Sequence, residues 1–166
     1  IPSLVGSEMC IRDRIYPGLA QRMSAGRGIW HSEKNLSAKS DVHFIQMWVV
    51  PDTESIDPGY QQLDINDQLA AGGLVPVASG QGHDAAISIR QKDAVLWAAR
   101  MKPGQGIVVP DAAYGHVFVA RGSAELEANG PLDTGDAVRL VGTGQQHLVA
   151  GEAGAEVLIW TTGGLQ

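Results

Sequence analysis

Cysteine is almost absent from this chain. Cys10 is the only cysteine among 166 residues, so no disulfide can form within the chain. An intracellular location is the simpler choice for such a protein, because small secreted domains often rely on disulfides. A lone cysteine also gives no sign of a nucleophile, since no partner residues are arranged around it in the sequence.

Long apolar runs and an excess of positive charge are missing as well. No run approaches the ~20 apolar residues that span a bilayer, and residues 1–14 lack the continuous apolar centre of a signal peptide. Twelve Lys and Arg against 18 Asp and Glu leave a net charge of −6. This balance argues against a nucleic-acid surface and against an anionic membrane. We therefore expect a cytoplasmic protein that binds neither nucleic acid nor membrane.

Glycine, in contrast, is plentiful, and the second half of the chain reads as short strands separated by turns. The 21 glycines favour strands and turns over helices. Asn129-Gly130 lies between two alternating segments, which is a strong signal for a β-hairpin. Seven short strands without a helical gap indicate an all-β barrel or jelly roll. The predicted strands are 94–101, 106–109, 116–120, 124–128, 137–141, 146–150 and 155–161.

Before this region the pattern predicts fewer regular elements. The alternation in Val42–Val50 predicts a strong strand, which Pro51 ends because proline cannot donate to a ladder. A short helix is expected near 65–71, and short strands are expected at 74–78 and 85–90. Residues 79–83 between those strands are expected to form a turn or loop, and they lack the Gly-Lys-Ser/Thr ending of a phosphate loop.

The stretch Met23–Glu33 holds the residues best suited to chemistry. If Ile29–Glu33 is a strand, His31 and Glu33 share one face, because side chains repeat every second residue. An imidazole and a carboxylate side by side suit a divalent metal such as iron, manganese or zinc. A His and a Glu two residues apart are more often only a solvated strand face, and two ligands do not complete a site.

The string from Arg22 to Glu33, RMSAGRGIWHSE, resembles the signature strand of the pirin family. This family consists of bicupins and includes quercetin 2,3-dioxygenase-like proteins. Phe44–Pro51 and Pro58–Gln62 look like the next family strand and the segment after it. The turns at 103–104, 121–122, 129–130 and 135–136 resemble those of a cupin barrel. The resemblance covers the chain from about Gln21 onward.

The resemblance implies an all-β fold of the cupin type, a double-stranded β-helix or jelly roll. The implied arrangement is a bicupin whose first barrel is incomplete in this chain. Residues 15–73 would form the C-terminal part of the first, metal-binding cupin and a linker. Residues 74–166 would form the second cupin barrel.

The resemblance also implies a mononuclear metal, Fe(II) first and another divalent metal as the alternative. In the family, the His and Glu of this string are the last two of four ligands, which carries over to His31 and Glu33. The other two come from a His-x-His on an earlier strand, and no His precedes His31 in this chain. We therefore expect half of the ligand set, and we expect the chain itself to be inactive.

Three functions fit this reading. The first is an iron-dependent quercetin 2,3-dioxygenase-type oxidoreductase that takes a flavonol-like small molecule, with Glu33 as the catalytic base on the substrate hydroxyl. The second is a non-catalytic pirin that acts as a metal-dependent regulatory or protein-binding partner; its protein partners are unknown. The third is a barrel that holds no metal. The sequence does not separate them, because the first two use the same His-Ser-Glu.

Three further histidines and two of the tryptophans receive structural interpretations. His43 is a possible third ligand only through its nearness in sequence, and an ordinary strand residue is the better interpretation. His116 and His147 lie on different predicted strands and are expected to be structural or exposed. Trp97 and Trp160 are expected to be large core residues.

The first residues do not match the rest of the chain. The chain starts with Ile1, and residues 1–14 show neither a helical nor a strand period. The string Ser3–Arg14 resembles a translated sequencing adapter, so we interpret residues 1–14 as a non-native leader. A natural disordered arm is the alternative.

Overall fold

The computed structural model describes residues 13–163. Cys10 and residues 1–12 of the expected leader lie outside the described residues. Almost all regular structure is β-strand, as the sequence predicts. The elements are β1 (Leu19–Ser24), β2 (Gly59–Asp64), α1 (Asn66–Ala71), β3 (Val75–Ser79), β4 (Ile87–Ser88), β5 (Ala94–Met101), β6 (Gly106–Val109), β7 (Tyr114–Leu126), β8 (Gly130–Asp133), β9 (Ala137–Val141) and β10 (Gln146–Thr162).

Eight of the strands form one sheet. Its order is β4-β3-β5-β10-β7-β8, with β6 paired to β10 and β9 paired to β7. All pairings are antiparallel except the short parallel pair of β3 and β4. The long strands β7 and β10 pair with each other at the centre of the sheet. Over part of its length β7 also pairs with the short strand β9, and β10 with the short strand β6. This arrangement brings together segments far apart in sequence, as an all-β jelly roll requires.

Apolar side chains cover both faces of the central strands, because successive residues of a strand point to opposite sides. The inner cluster fills the barrel and contains Met101, Val109, Val117, Leu126, Leu148, Val157 and Ile159, among others. The outer cluster contains Ala20, Ile65, Leu69, Val75, Val77, Ile87, Leu96 and Ala98. The outer cluster thus packs β1 and α1 against the barrel wall.

Two pairs of predicted strands prove to be single long strands. The predicted segments 116–120 and 124–128 both fall in β7, except that residues 127–128 belong to the turn after it, and 146–150 and 155–161 are both part of β10. The glycine turns between them bend the strands instead of ending them, and the β7–β10 register shifts between Ala150 and Ala155. Glycine within a strand is typical of a β-bulge. Because glycine is also typical of turns, the sequence pattern predicts a break between two strands.

The other predictions for the second half are close. The segments 94–101, 106–109 and 137–141 match β5, β6 and β9. The Asn129-Gly130 hairpin is confirmed: Leu126 pairs with Gly130, and the Asn129 N–H donates to the Leu126 carbonyl. Strand β8 was not predicted, because four residues that include Pro131 carry little strand signal.

A two-stranded ribbon and a short helix precede the barrel. Strands β1 and β2 pair antiparallel from Leu19–Asp64 to Ser24–Gly59. The predicted helix is confirmed as α1, whose Leu69 is buried. At the helix start the Asn66 N–H donates to Asp64 Oδ1 over 2.8 Å. That bond, followed by the Tyr16 hydroxyl, lowers the pKa of Asp64.

The predicted strand Val42–Val50 is wrong in this structure. Residues 28–50 contain no helix or strand, and nearly all of their side chains are exposed. The strand assumed for Ile29–Glu33 is absent for the same reason. A strand needs a neighbour for its N–H and C=O groups, and no described strand lies beside either segment. The alternating pattern shows that a segment prefers the β-conformation. Whether a strand forms depends on a neighbouring strand with which the segment can hydrogen-bond.

Candidate functional site

The sequence-predicted ligands lie on a long excursion between the two strands of the ribbon, residues 25–58, which we call the donor segment. Its ends meet where Ser24 pairs with Gly59. Just beyond, the Arg27 guanidinium forms an exposed ion pair with Asp57. A Cβ on Gly26, whose φ is +53°, would lie 2.2 Å from the Ile56 carbonyl oxygen. Glycine therefore permits a close crossing at the base of the donor segment.

His31 and Glu33 are both exposed and belong to no regular element. Trp30 beside them is also fully exposed, at 102% of its reference area. The shared strand face on which the metal prediction was argued is therefore not formed here. Across residues 13–163, no group of three or more His, Cys, Asp or Glu side chains is arranged to hold a metal ion.

The His31 imidazole and the Glu33 carboxylate are suitable ligand types for a divalent metal, but two ligands are too few for a site. Imidazole and carboxylate are ligands that iron, nickel, zinc and manganese accept. Mononuclear centres of this kind use at least three protein ligands. His31 and Glu33 thus provide part of such a set, and the described residues do not complete it.

Three of the four other histidines, His43, His116 and His147, stand apart from this pair. His43 is exposed on the donor segment. His147 is exposed on β10 between the buried Gln146 and Leu148, and His116 is half-buried on β7 beside the fully buried Val117. Their neighbours face the apolar inner cluster, so these two imidazoles lie on the outer side of the barrel wall. This agrees with the expectation that they are structural or exposed.

The two tryptophans of the barrel pack on opposite faces of the sheet. Trp97 packs against the inner cluster and Trp160 against the outer one, both half-buried. The Trp97 indole donates to Thr161 Oγ1 over 3.0 Å. The Trp160 indole donates to Met47 Sδ over 3.2 Å, so it also contacts the donor segment. Both pack against an apolar cluster, but neither is fully buried, so the prediction of large core residues is confirmed only in part.

Polar contacts that the sequence did not reveal join the ribbon to the barrel. Arg22 donates from Nη1 to the Ser88 carbonyl over 2.6 Å. Gln61 accepts the Ser88 N–H at Oε1 over 3.1 Å. Burial, followed by the nearby Arg90, lowers the pKa of Arg22. No periodicity reports such contacts, because they depend on the tertiary position of a sheet edge.

Among residues 13–163, no helix has the length and apolar character needed to cross a membrane. The one described helix, α1, has six residues.

Comparison with protein families identifies two matches along the chain. Residues 8–49 match the family described as Pirin. Residues 76–160 match the Quercetinase C-terminal cupin domain. The first match contains most of the donor segment with His31 and Glu33, and the second contains almost the whole barrel.

Two relatives illustrate the similarity in sequence. A protein of Mycobacterium tuberculosis (strain H37Rv), provisionally named a quercetin 2,3-dioxygenase, is 52% identical over 147 residues, covering 88% of this chain and 60% of its own length. The quercetin 2,3-dioxygenase of Escherichia coli (strain K12) is 31% identical over 96 residues, covering 58% of this chain and 40% of its own length. The chain thus spans at most about 60% of these relatives.

Solved structures share the fold. The bacterial pirin YhhW from Escherichia coli in complex with nickel(II) has a TM-score of 0.59 at 21% identity, with 70% of this chain and 49% of that chain covered. The protein YhaK from Escherichia coli has a TM-score of 0.56 at 18% identity, with 69% and 49% covered. At these identities the likeness concerns the fold, and it agrees with the barrel described above.

Proposed function

The chain belongs to the pirin family of cupin proteins, and we propose that it is the metal-binding part of a quercetin 2,3-dioxygenase-type oxidoreductase. The expected cupin fold is confirmed by the all-β barrel and its structural relatives. The proposed division assigns residues 15–73 to the first cupin with its linker and residues 74–166 to the second. The proposed location is the cytoplasm, in keeping with the single cysteine.

One observation carries the proposal. His31 and Glu33 lie within the residues that match the Pirin family, and a quercetin 2,3-dioxygenase name recurs among the relatives. Both side chains are exposed and make no described hydrogen bond or ion pair. A metal ion in solution can therefore reach both side chains.

We propose that His31 and Glu33 are two of the ligands of a divalent metal, with Fe(II) as the first choice. When bound, such a metal would supply open positions at which a flavonol-like substrate and dioxygen meet. The imidazole of His31 would serve as a neutral nitrogen ligand. The carboxylate of Glu33 would accept the proton of the substrate hydroxyl when it is not bound to the metal.

Exposed apolar side chains on the donor segment favour a second function, which is the binding of a protein partner. Large apolar side chains such as Trp30, Leu36 and Trp48 are more than four-fifths exposed there. Exposed apolar surface is typical of a protein-binding site. A pirin that binds a regulatory protein partner in a metal-dependent way, without catalysis, would use the same two ligands.

The first experiment measures Fe(II) binding by anaerobic equilibrium dialysis. We expect His31→Ala and Glu33→Gln each to weaken binding by at least tenfold, because each removes a ligand. His147→Ala is the matched control, since His147 is exposed on the outer side of the barrel. Equal binding by all four proteins would refute the assignment of His31 and Glu33.

The second experiment separates the two functions. Oxygen uptake with quercetin would be measured on the chain and on any longer reading frame obtained by sequencing upstream of the Arg22 codon. We expect turnover in a protein with a full ligand set and its loss in Glu33→Gln. Metal binding without turnover in that longer protein favours the regulatory function, and unchanged turnover in Glu33→Gln removes Glu33 as the base.

A further inference from the structure

One short stretch of the barrel receives polar contacts from both the ribbon and the donor segment. We call residues 86–92 the docking platform; it comprises β4 with one residue before it and the turn that leads towards β5. β4 lies at the edge of the eight-stranded sheet. An edge strand leaves N–H and C=O groups that need partners, and here side chains supply them.

The ribbon satisfies the first part of the docking platform. Arg22 donates to the Ser88 carbonyl over 2.6 Å. Gln61 accepts the Ser88 N–H over 3.1 Å and donates to the Ala86 carbonyl over 3.5 Å. Because Arg22 and Gln61 are register partners in the ribbon, one pair of side chains fixes the ribbon on the edge of the sheet.

The donor segment satisfies the second part through Asp52. The Asp52 N–H donates to the Arg90 carbonyl over 2.6 Å. The Lys92 N–H donates to Asp52 Oδ2 over 2.6 Å. A carboxylate that accepts a backbone N–H makes a charge-assisted bond, which is stronger than a neutral one. Asp52 therefore binds the turn at two points, one on each side of Gln91.

Asp52 is also the first backbone anchor after a long interval. Between Gly28 and Asp52, no backbone N–H donates to a backbone carbonyl of the described residues. Nearby, the Val50 carbonyl accepts a bond from Gln91 over 3.4 Å. The Met47 sulfur accepts the Trp160 indole N–H. Apart from local bonds within residues 35–40, the described hydrogen bonds of this stretch are those that join it to the barrel at 47–52.

We propose that Asp52 is the positioning residue that holds the donor segment on the docking platform. This inference rests on the proposed function for its consequence, which is a defined position for His31 and Glu33. The physical basis is that an irregular segment becomes ordered only where contacts offset its loss of conformational entropy. Asp52 contributes two bonds at the point where the segment returns to the barrel.

The test uses the full chain labelled with 5-fluorotryptophan and fluorine NMR. The four tryptophans, Trp30, Trp48, Trp97 and Trp160, are assigned by Trp→Phe variants. Asp52→Ala removes the carboxylate bond to Lys92 and leaves the main-chain bond to Arg90. We expect it to move the Trp160 signal, because Met47 then shifts away from the Trp160 indole. Asp41→Ala is the matched control, since Asp41 is an exposed carboxylate of the same segment. Asp52→Asn is expected to restore the signal, because its carbonyl oxygen still accepts the Lys92 N–H.

Zinc(II) serves as the metal probe, followed by the same spectra. We expect the Trp30 signal to move on zinc addition, and the affinity to fall about tenfold in Asp52→Ala but not in Asp52→Asn or Asp41→Ala. An unchanged Trp160 signal in Asp52→Ala overturns the inference. So does an unchanged zinc affinity in that variant while the unsubstituted chain binds zinc.

Failure of the proposed function looks different. If zinc leaves the Trp30 signal of the unsubstituted chain in place, the metal assignment of His31 is wrong. A Trp160 signal that still moves in Asp52→Ala and returns in Asp52→Asn then supports the anchor on its own. The two ideas are thereby tested by separate signals of one sample.

Discussion

Single polar side chains join the parts of this molecule. Arg22, Gln61 and Asp52 each bond backbone groups of the docking platform, more than twenty residues away in sequence. Their bonds satisfy the N–H and C=O groups of a sheet edge that would otherwise lack partners. The apolar contacts of Ala20, Ile65 and Leu69 supply burial, whereas these polar bonds define the position.

Tyr60 in the ribbon provides a prediction about pH. Burial, followed by its hydrogen bond to Asp13, raises the pKa of Tyr60 to about 12. The folded state thus favours the neutral phenol. The resulting stabilisation is complete below the unfolded pKa of about 10 and is lost as the pH rises through about 12. Ultraviolet titration should show one tyrosine ionising near pH 12, and Tyr60→Phe should remove that component.

Asp13→Asn is the companion variant to Tyr60→Phe. It removes the negative charge that helps to keep the phenol neutral and leaves an amide oxygen that can still accept the hydroxyl, so the pKa of Tyr60 should fall part of the way towards its ordinary value. A titration unchanged in Asp13→Asn would mean that the charge of Asp13 does not contribute to the shift. The absence of a component near pH 12 in the unsubstituted chain would contradict the prediction.

Strands β7 and β10 show how glycine shapes an element. Gly122 lies within β7 at a φ of +74°, and a Cβ there would lie 2.0 Å from the Gly154 carbonyl oxygen. The bulge between Ala150 and Ala155 on β10 faces this position. A bend at this point requires both the left-handed backbone and the close approach of two main chains.

Gly122→Ala is therefore expected to destabilise the barrel by about 4 kcal/mol or more, since strain and a backbone clash combine. Gly144→Ala is the control: Gly144 has a φ of +71° but open space around it. Its cost should be about 1 kcal/mol, from the backbone conformation alone. Urea unfolding followed by circular dichroism measures both, and equal midpoints for the two variants would disprove the clash.

At the scale of the whole molecule, a well-filled barrel adjoins an exposed apolar segment. The inner cluster buries Leu126, Leu148 and Ile159 completely. On the donor segment, Trp48 and Val50 are 92% and 80% exposed. Uncharged segments with strong strand preference that remain exposed tend to associate.

We expect the 166-residue chain to self-associate in a concentration-dependent way through Val42–Val50. Sedimentation velocity over a range of concentrations should show the association. The double variant Trp48→Ser/Val50→Ser should reduce it strongly, because it removes the two most exposed apolar side chains of that stretch. Val141→Ser is the control, since Val141 is 67% exposed on β9 of the barrel. Equal association in both variants would contradict the assignment to Val42–Val50.

Local patterns were sufficient for most of the barrel and for the identity of its family. The Asn129-Gly130 hairpin, helix α1 and strands β5, β6 and β9 follow from turn residues and alternation, and the string from Arg22 to Glu33 carried the resemblance. These features depend on residues close together in sequence. Their preferences agree with the final structure because neighbouring strands are present to pair with them.

Tertiary contacts were needed for the rest. The strand preference of Val42–Val50 is as clear as that of β5, yet β5 lies between β3 and β10 whereas Val42–Val50 has no described strand beside it. The union of two predicted strands into β7, and the role of Asp52, likewise depend on distant partners. Backbone hydrogen bonds across a sheet join segments that are distant in sequence. The sequence of a segment therefore shows its preference for the β-conformation, whereas only the tertiary structure decides whether a strand lies beside it to pair with.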